Sequence, residues 1–115
     1  MSSTKRVERI AGDIQKAITN IIYRQLNIEE LQMVTIASVK VTSDLSLASI
    51  YYTVLNNSKE NKEHIDKLLR SSNKTIRMHL SKKLRTRTVP MLKFFYDKSL
   101  DNVFKVEELL NSVKK

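Results

Sequence analysis

Thirty consecutive residues, from Lys67 to Tyr96, contain nine Lys or Arg and not one Asp or Glu. Since the chain has 21 basic residues in all, the rest holds 12 basic against 12 acidic residues, and the whole net charge of +9 lies in this stretch. Charge this local is typical of a surface that binds an anionic partner. The alternative is a solvated cationic face without a partner.

The first half of this stretch has the apolar period of an amphipathic helix. Its apolar positions recur at steps of four and seven and therefore share one side of a helix: Ile65, Leu69, Ile76, Leu80 and Leu84. Four cations follow a second stripe beside the apolar one: Arg70, Lys74, Arg77 and Arg85. The pattern predicts a helix that packs with one side and presents positive charge with the neighbouring side.

Ser71, Ser72 and Asn73 interrupt this helical pattern, because such residues favour helix N-caps over helix interiors. We predict a kink or a restart here, with a second helix that begins near Ser72. Free N–H groups in its first turn would bind phosphate readily. Pro90 then precedes Met91 to Tyr96, a predicted strand, since Pro is tolerated where a strand begins.

The remaining segments alternate between helical and strand patterns. The predicted elements are a helix from Val7 to Leu26, a strand from Met33 to Val41, a turn from Thr42 to Ser46, a strand from Ala48 to Leu55, and a last helix with Val106, Leu109, Leu110 and Val113. The apolar phase near Ile36 and Ala37 is ambiguous, which fits a strand covered on both faces or a bulge. Together these elements predict one α+β domain over residues 1–115, a three-stranded sheet with helices packed on it.

The composition excludes several classes of protein. The chain has no cysteine, hence no disulfide and no thiolate site, which fits a reducing compartment. Its one glycine, Gly12, lies in a helical pattern, so a Gly-rich phosphate loop cannot be built. No apolar run approaches the roughly 18 residues of a membrane span, and the N-terminus lacks the apolar stretch of a secretory signal. We expect a soluble cytoplasmic protein without a cofactor.

No group of side chains has the spacing of an active site. His64 and His79 are fifteen residues apart and match neither metal ligands nor a catalytic triad. Asp44, Asp97 and Asp101 fall in predicted turns, where Asp commonly hydrogen-bonds the backbone. We therefore expect neither an enzyme nor a metal site, with an RNA-modifying enzyme that uses these carboxylates as an alternative.

Aromatic residues of the predicted strands are candidates for contacts with RNA bases: Tyr51, Tyr52, Phe94, Phe95 and Tyr96. Strand aromatics stack on bases in some RNA-binding sheets. Phe94 and Tyr96 share the apolar phase of Leu92, and for these two we expect packing in the core instead.

Three stretches match the pattern of a known family, in order along the chain: Arg6 to Ile10, Val34 to Ala48, and Ile76 to Phe94. On these motifs the chain resembles bacterial ribosome-binding factor A, from Arg6 to Leu110. The resemblance implies a type II KH-like fold. It also implies a non-enzymatic factor that assists late maturation of the small (30S) ribosomal subunit, binds precursor 16S rRNA near the 5′-terminal helix, and supports growth in the cold. We expect it to act as a monomer and not to bind membranes.

The resemblance also points to particular cations. Arg77, Arg85 and Arg87 match basic residues of the family, and Arg6 and Arg9 match its N-terminal arginine pair. With the other cations of the basic stretch, the expected RNA-binding set is Arg70, Lys74, Arg77, Lys82, Lys83, Arg85, Arg87, Arg6 and Arg9.

The predicted kink departs from the family pattern, because Ser72-Asn73-Lys74 stands where the family usually has Ala-x-Gly. The kink therefore rests on Ser72 and Asn73. A polar break in a basic helical segment also occurs in DNA-binding helix-turn-helix modules, which are the main alternative. The apolar stripe keeps its phase through the break, and this argues against a strongly reoriented second helix. The basic helix also lacks the Trp and Phe that anchor a helix at a membrane surface.

Overall fold

The structure is a computed structural model, and it describes residues 2–84 and 89–99 of the 115-residue chain. Its elements are α1 Ser2–Asn20, a π-helical turn Ile21–Gln25, a 3-10 turn Glu29–Met33, β1 Val34–Val41, β2 Leu47–Val54, α2 Lys59–Lys83 and β3 Met91–Tyr96. The predicted first helix and the three predicted strands are confirmed to within a few residues at their ends. The predicted last helix, with Val106, Leu109, Leu110 and Val113, lies outside the described residues.

The three strands form one mixed sheet in the order β1, β2, β3. β1 and β2 pair antiparallel, so a short turn suffices to join them. β2 and β3 pair in parallel and need a crossover connection, which α2 supplies. α1 packs against β1, and α2 packs against β3. The α+β class and the three-stranded sheet predicted from the sequence are confirmed.

One side of α1 and of its π-helical turn is buried, because isoleucines recur there at helical spacing: Ile10, Ile14, Ile18, Ile21 and Ile22. In the π-helical turn the Leu26 N–H donates to the Ile21 carbonyl at 3.0 Å. Asn27 then adopts a φ of 55°, the left-handed conformation that Asn tolerates better than most residues. The chain thereby leaves the helix and turns toward β1.

β1 contains a bulge at Ala37, where the register of its pairing with β2 shifts between Ile36 and Ser38. A bulge takes backbone groups out of the ladder, and these need other partners. The Gln15 side chain of α1 donates to the Ile36 carbonyl at 3.1 Å and lies 3.4 Å from the Ala37 carbonyl. Of the two interpretations of the ambiguous apolar phase, the bulge is therefore the right one.

Asp44 organises the turn between β1 and β2. Its Oδ1 accepts hydrogen bonds from the Thr42 hydroxyl at 2.7 Å, the Ser46 hydroxyl at 2.7 Å and the Ser46 N–H at 3.1 Å. Hydrogen bonds to a carboxylate favour its charged form, and the Thr42 hydroxyl leads those that lower the pKa of Asp44 to about 2. The turn role predicted for Asp44 is confirmed.

Asp97 has the same role after β3. Its Oδ1 accepts from the Ser99 hydroxyl at 2.6 Å and from the Ser99 N–H at 3.0 Å, and these bonds lower the pKa of Asp97. Asp101, the third predicted turn residue, lies outside the described residues.

α2 is a single helix. It begins after Ser58, whose hydroxyl oxygen accepts from the Asn61 N–H at 3.3 Å, and it continues without interruption from Lys59 to Lys83. The prediction that a new helix starts near Ser72 is therefore wrong, together with the free N–H groups that such a start would offer to phosphate. A helix-turn-helix module also requires a turn, and residues 59–83 contain none.

Side-chain partners explain why α2 continues through its least helix-favouring residues. The Ser71 hydroxyl donates to the Leu68 carbonyl at 3.0 Å, one turn earlier. Ser72 is 9% exposed and lies on the buried side of the helix. The Asn73 side-chain amide donates to the Leu92 carbonyl of β3 at 2.9 Å. Differences in helix propensity stay below about 1 kcal/mol per residue, and tertiary contacts of this kind outweigh them.

The core lies between the helices and the inner face of the sheet, to which β2 and β3 contribute Ala48, Ile50, Tyr52, Val54, Leu92 and Phe94. The buried Tyr52 hydroxyl donates to Asp66 Oδ1 at 3.4 Å, and its ring meets the Tyr96 ring edge-on with 5.9 Å between centroids. Burial, followed by the negative charge of Asp66, raises the pKa of Tyr52 to about 12. The core roles predicted for Phe94 and Tyr96 are confirmed, and Tyr52 belongs to the core too.

Candidate nucleic-acid interface

The exposed side of α2 carries Arg70 and Lys74 one helical turn apart. The Arg70 side chain is 74% exposed, and its Nε forms an ion pair with Asp66 Oδ2 at 2.8 Å. Asp66 lies four residues before Arg70, a spacing that indicates an ion pair on a helix. Because Asp66 stands just before the basic stretch that begins at Lys67, a charge count over that stretch does not include it. An exposed pair contributes at most about 1 kcal/mol, so Asp66 does not prevent Arg70 from binding a stronger anion.

Arg77 differs from the exposed cation that the sequence predicts. Its side chain is half-buried, and its Nη2 donates to the Val89 carbonyl at 2.9 Å. Its Nε is buried and has no hydrogen-bond partner in the described part of the chain. Val89 lies two residues before β3, so Arg77 joins α2 to the segment that leads into the third strand.

Lys82 and Lys83 occupy the last turn of α2, where cations suit the negative end of the helix dipole. Lys83 Nζ donates to Asn20 Oδ1 at 3.1 Å, which ties the end of α2 to the end of α1. Lys82 is exposed. Of this pair, Lys83 already has a structural partner, while Lys82 is presented to solvent.

A groove of about 360 Å³ separates α2 from β3, and its walls carry Arg70, Asn73, Leu92, Lys93, Phe94 and Phe95. Arg70 and Lys93 bring positive charge from opposite walls. The Asn73 amide and the exposed part of the Phe95 ring add a hydrogen-bonding group and an aromatic surface. The groove can therefore hold an anionic group beside a planar, partly apolar one. Sequence analysis missed the place of Lys93 in it, since only the packing of α2 beside β3 brings Lys93 near Arg70.

The cations of α1 form separate groups. Arg6 and Arg9 are exposed near its beginning, and Arg9 lies about 16 Å along the helix axis from Asn20, where Lys83 is bound. A second depression, of about 600 Å³, follows one side of α1 and its π-helical turn and includes Lys16 and Arg24. The structure therefore does not bring Arg6 and Arg9 together with Lys83.

Two of the expected RNA-binding residues, Arg85 and Arg87, lie outside the described residues. Within residues 2–84 and 89–99, no three His, Cys, Asp or Glu side chains come close enough together to hold a metal ion. Over the same residues, neither helix is long and apolar enough to cross a membrane.

Comparison with known proteins identifies relatives along almost the whole chain. The family model of ribosome-binding factor A matches residues 6–110. A ribosome-binding factor A of Desulfatibacillum aliphaticivorans is 35% identical over 113 residues, which cover 98% of this chain and 91% of the relative. One from Francisella tularensis subsp. novicida is 40% identical over 108 residues, which cover 94% of this chain and 74% of the relative.

Solved structures of ribosome-binding factor A share the fold. The crystal structure of the Thermus thermophilus protein aligns with a TM-score of 0.70 at 19% identity, over 81% of this chain and 97% of that chain. A Thermus thermophilus homology model fitted into the cryo-EM map of a 30S complex aligns with a TM-score of 0.66 at 18% identity, over 80% and 96% of the two chains. At such identities the likeness concerns the fold, which in these proteins is KH-like.

Proposed function

The chain belongs to the ribosome-binding factor A family, and on this premise we propose that it binds the immature small ribosomal subunit and assists the late maturation of its 16S rRNA. Two independent observations support the proposal. One relative of the same fold is fitted into a map of a 30S complex. The net charge of +9 is concentrated in the segment that forms most of α2 and β3, which suits a polyanionic partner.

We assign the main RNA contact to a basic surface made of Arg70, Lys74 and Lys93 around the groove between α2 and β3. The groove supports this assignment most directly, because it joins cations from two elements to an amide and an aromatic ring. The planar guanidinium of Arg70 is suited to grip a phosphate with two hydrogen bonds or to stack on an unpaired base. Lys74 and Lys93 act as point charges beside it.

Arg85, Arg87 and Lys82 remain in the proposed RNA-binding set, and Arg6 and Arg9 form a secondary contact on α1. Arg77 has an indirect role in this proposal. Its bond to the Val89 carbonyl fixes the position of Val89, two residues after Arg87 in the sequence. The family resemblance supports the region of the 5′-terminal helix of 16S rRNA as the binding site, and a monomer that acts without catalysis.

Binding of this kind is mainly electrostatic and therefore salt-dependent. If Arg70, Lys74 and Lys93 each neutralise one phosphate of an unpaired RNA segment, this surface contributes about −2 to the slope of log affinity against log salt concentration. Each cation removed should lower the magnitude of the slope by about 0.7.

The test is co-sedimentation of folded variants with precursor small subunits. Arg70→Gln with Lys74→Gln should reduce the bound fraction and flatten its salt dependence. The matched control is Lys16→Gln with Arg24→Gln, which removes the same charge from the depression on α1. If the control loses binding while the α2 variant sediments like the wild type, the basic surface has been assigned to the wrong side of the molecule.

A further inference from the structure

The face of the sheet that points away from α1 and α2 has an ordered arrangement of side chains. Side chains alternate along a strand, so the residues opposite the core face form rows across β1, β2 and β3. One row consists of Ser38, Tyr51 and Phe95, and the next row consists of Lys40, Ser49 and Lys93. An aromatic row therefore lies beside a cationic row, about 7 Å away along the strands.

The aromatic pair is stacked and accessible. The rings of Tyr51 and Phe95 have centroids 5.6 Å apart and an interplanar angle of 29°. Phe95 is 43% exposed, and Tyr51 is half-buried. On the same face of β2, Ser49 and Thr53 flank Tyr51 with shorter side chains. The two rings therefore form a raised aromatic surface on a sheet face whose other side chains are Ser, Thr and Lys, with Leu47 and Met91 at one end.

The charge of this face has one sign. β1, β2 and β3 contain no Asp or Glu at all, and the lysines of β1 and β3 both belong to the cationic row. Lys40 Nζ lies 5.7 Å from the centroid of the Tyr51 ring, within the range of a cation–π contact. A partner that places a planar group on the rings and negative charge on the lysines satisfies the whole arrangement, and an unpaired nucleotide carries both groups.

We call the aromatic row and the cationic row together the platform. The platform is continuous with the basic surface around the groove between α2 and β3. Lys93 and Phe95 belong to the sheet face, yet they also line the groove with Arg70 and Asn73. Among the described residues β3 is an edge strand, so an RNA chain that occupies the groove can pass around this edge onto the sheet. A single RNA strand is thin enough for this path, whereas a rigid duplex is not.

We propose that the face of the sheet opposite α1 and α2 is a second RNA-binding site, specific for unpaired nucleotides. One or two bases stack on Tyr51 and Phe95, and the adjoining phosphates contact Lys40 and Lys93. The proposal rests on the proposed function in taking RNA as the ligand. The two sites share Lys93 and Phe95, but Tyr51 and Lys40 lie outside the groove, and stacking on aromatic rings is a different kind of contact.

The test measures binding of an unstructured RNA octanucleotide to the full chain at several salt concentrations, with an RNA hairpin as the paired control. The variant is Tyr51→Thr with Phe95→Thr, since Thr suits an exposed strand position. Octanucleotide affinity should fall about tenfold, with no change in the salt slope, because stacking is lost and no phosphate contact is removed. Affinity for the hairpin should change less than twofold.

A second variant guards against a folding defect of the first. Lys40→Gln keeps both rings and every cation of the groove, and it should lower the magnitude of the salt slope for the octanucleotide by about 0.7. If both variants bind the octanucleotide like the wild type, the platform proposal is overturned. Co-sedimentation of the Arg70→Gln with Lys74→Gln variant tests the proposed function separately. If the aromatic variant changes self-association in sedimentation velocity while RNA binding is unaffected, the face is a protein interface, and the proposal is likewise overturned.

Discussion

The hydrogen bond between Arg77 and the Val89 carbonyl permits a direct test of how α2 is joined to β3. Arg77 is conspicuous in the sequence as one of the cations expected to bind RNA, but the structure engages it within the fold. We predict that Arg77→Gln destabilises the protein by about 0.5–2 kcal/mol, and by more than Arg70→Gln, which at an exposed site on the same helix costs at most about 0.5 kcal/mol.

Two opposing effects set this magnitude. The bond from the charged guanidinium to the carbonyl contributes about 1.5–3 kcal/mol, and Gln cannot reproduce its reach. Against this, Arg77 Nε is buried without a partner in the described part of the chain, and its removal recovers on the order of 1 kcal/mol of desolvation cost. The difference is about 0.5–2 kcal/mol, which corresponds to a fall in Tm of roughly 2–8 °C for a domain of this size.

The assay is urea unfolding followed by far-UV circular dichroism, with both variants measured beside the wild type. The Arg70→Gln variant is the matched control, because it makes the same substitution seven positions earlier on α2. The m-value should be unchanged, so that a shift in midpoint reports stability alone. Equal stability of the two variants, within about 0.5 kcal/mol, would show that the bond to Val89 does not join α2 to β3 in solution.

Three further predictions concern the turn, the core and the helix. The pKa of Asp44 is lowered to about 2, so its contribution to the free energy of unfolding is complete above pH about 4 and is lost as the pH falls toward 2. In Asp44→Asn the free energy of unfolding, measured by urea unfolding, should therefore vary less with pH between about 4 and 2. The pKa of Tyr52 is raised to about 12, so the wild type should lose stability as the pH rises from about 10 to 12, and Tyr52→Phe should lose less when unfolding is measured at both pH values. Ser72→Leu should cost about 1–3 kcal/mol through overpacking, and Ser72→Ala less than about 1 kcal/mol, as measured by urea unfolding.

Periodicity predicts the strands and the core well, because burial imposes it directly. The alternation along β2 and β3 separates Ile50, Tyr52 and Phe94 in the core from Tyr51 and Phe95 outside it. The bulge in β1 is also indicated by the sequence, because the apolar alternation loses its phase near Ile36 and Ala37. The π-helical turn leaves no comparable trace, since its isoleucines are equally compatible with a regular helix.

Local propensity fails where a tertiary contact replaces a local one. Asn73 is a good cap in isolation, but its amide is bonded to the Leu92 carbonyl, and nothing near Asn73 in the sequence indicates that partner. The same reason hides the role of Arg77, whose partner lies twelve residues away. Asp66 and Arg70, four apart on one helix, are the opposite case, where spacing alone predicts the pair.

The continuity of α2 determines how this protein can hold an anion. A helix that restarted at Ser72 would present unbonded N–H groups to a phosphate, and Gly in the family pattern favours such a break. In this chain the amides of that stretch lie in the interior of one helix, and Asn73 and Arg77, four residues apart, bond to carbonyls at and just before the edge strand β3. These two bonds fix the rotation of α2 so that Arg70 and Lys74 point outward. The proposed RNA contact must therefore rest on side-chain charge, which makes it more sensitive to salt than a contact built from backbone amides.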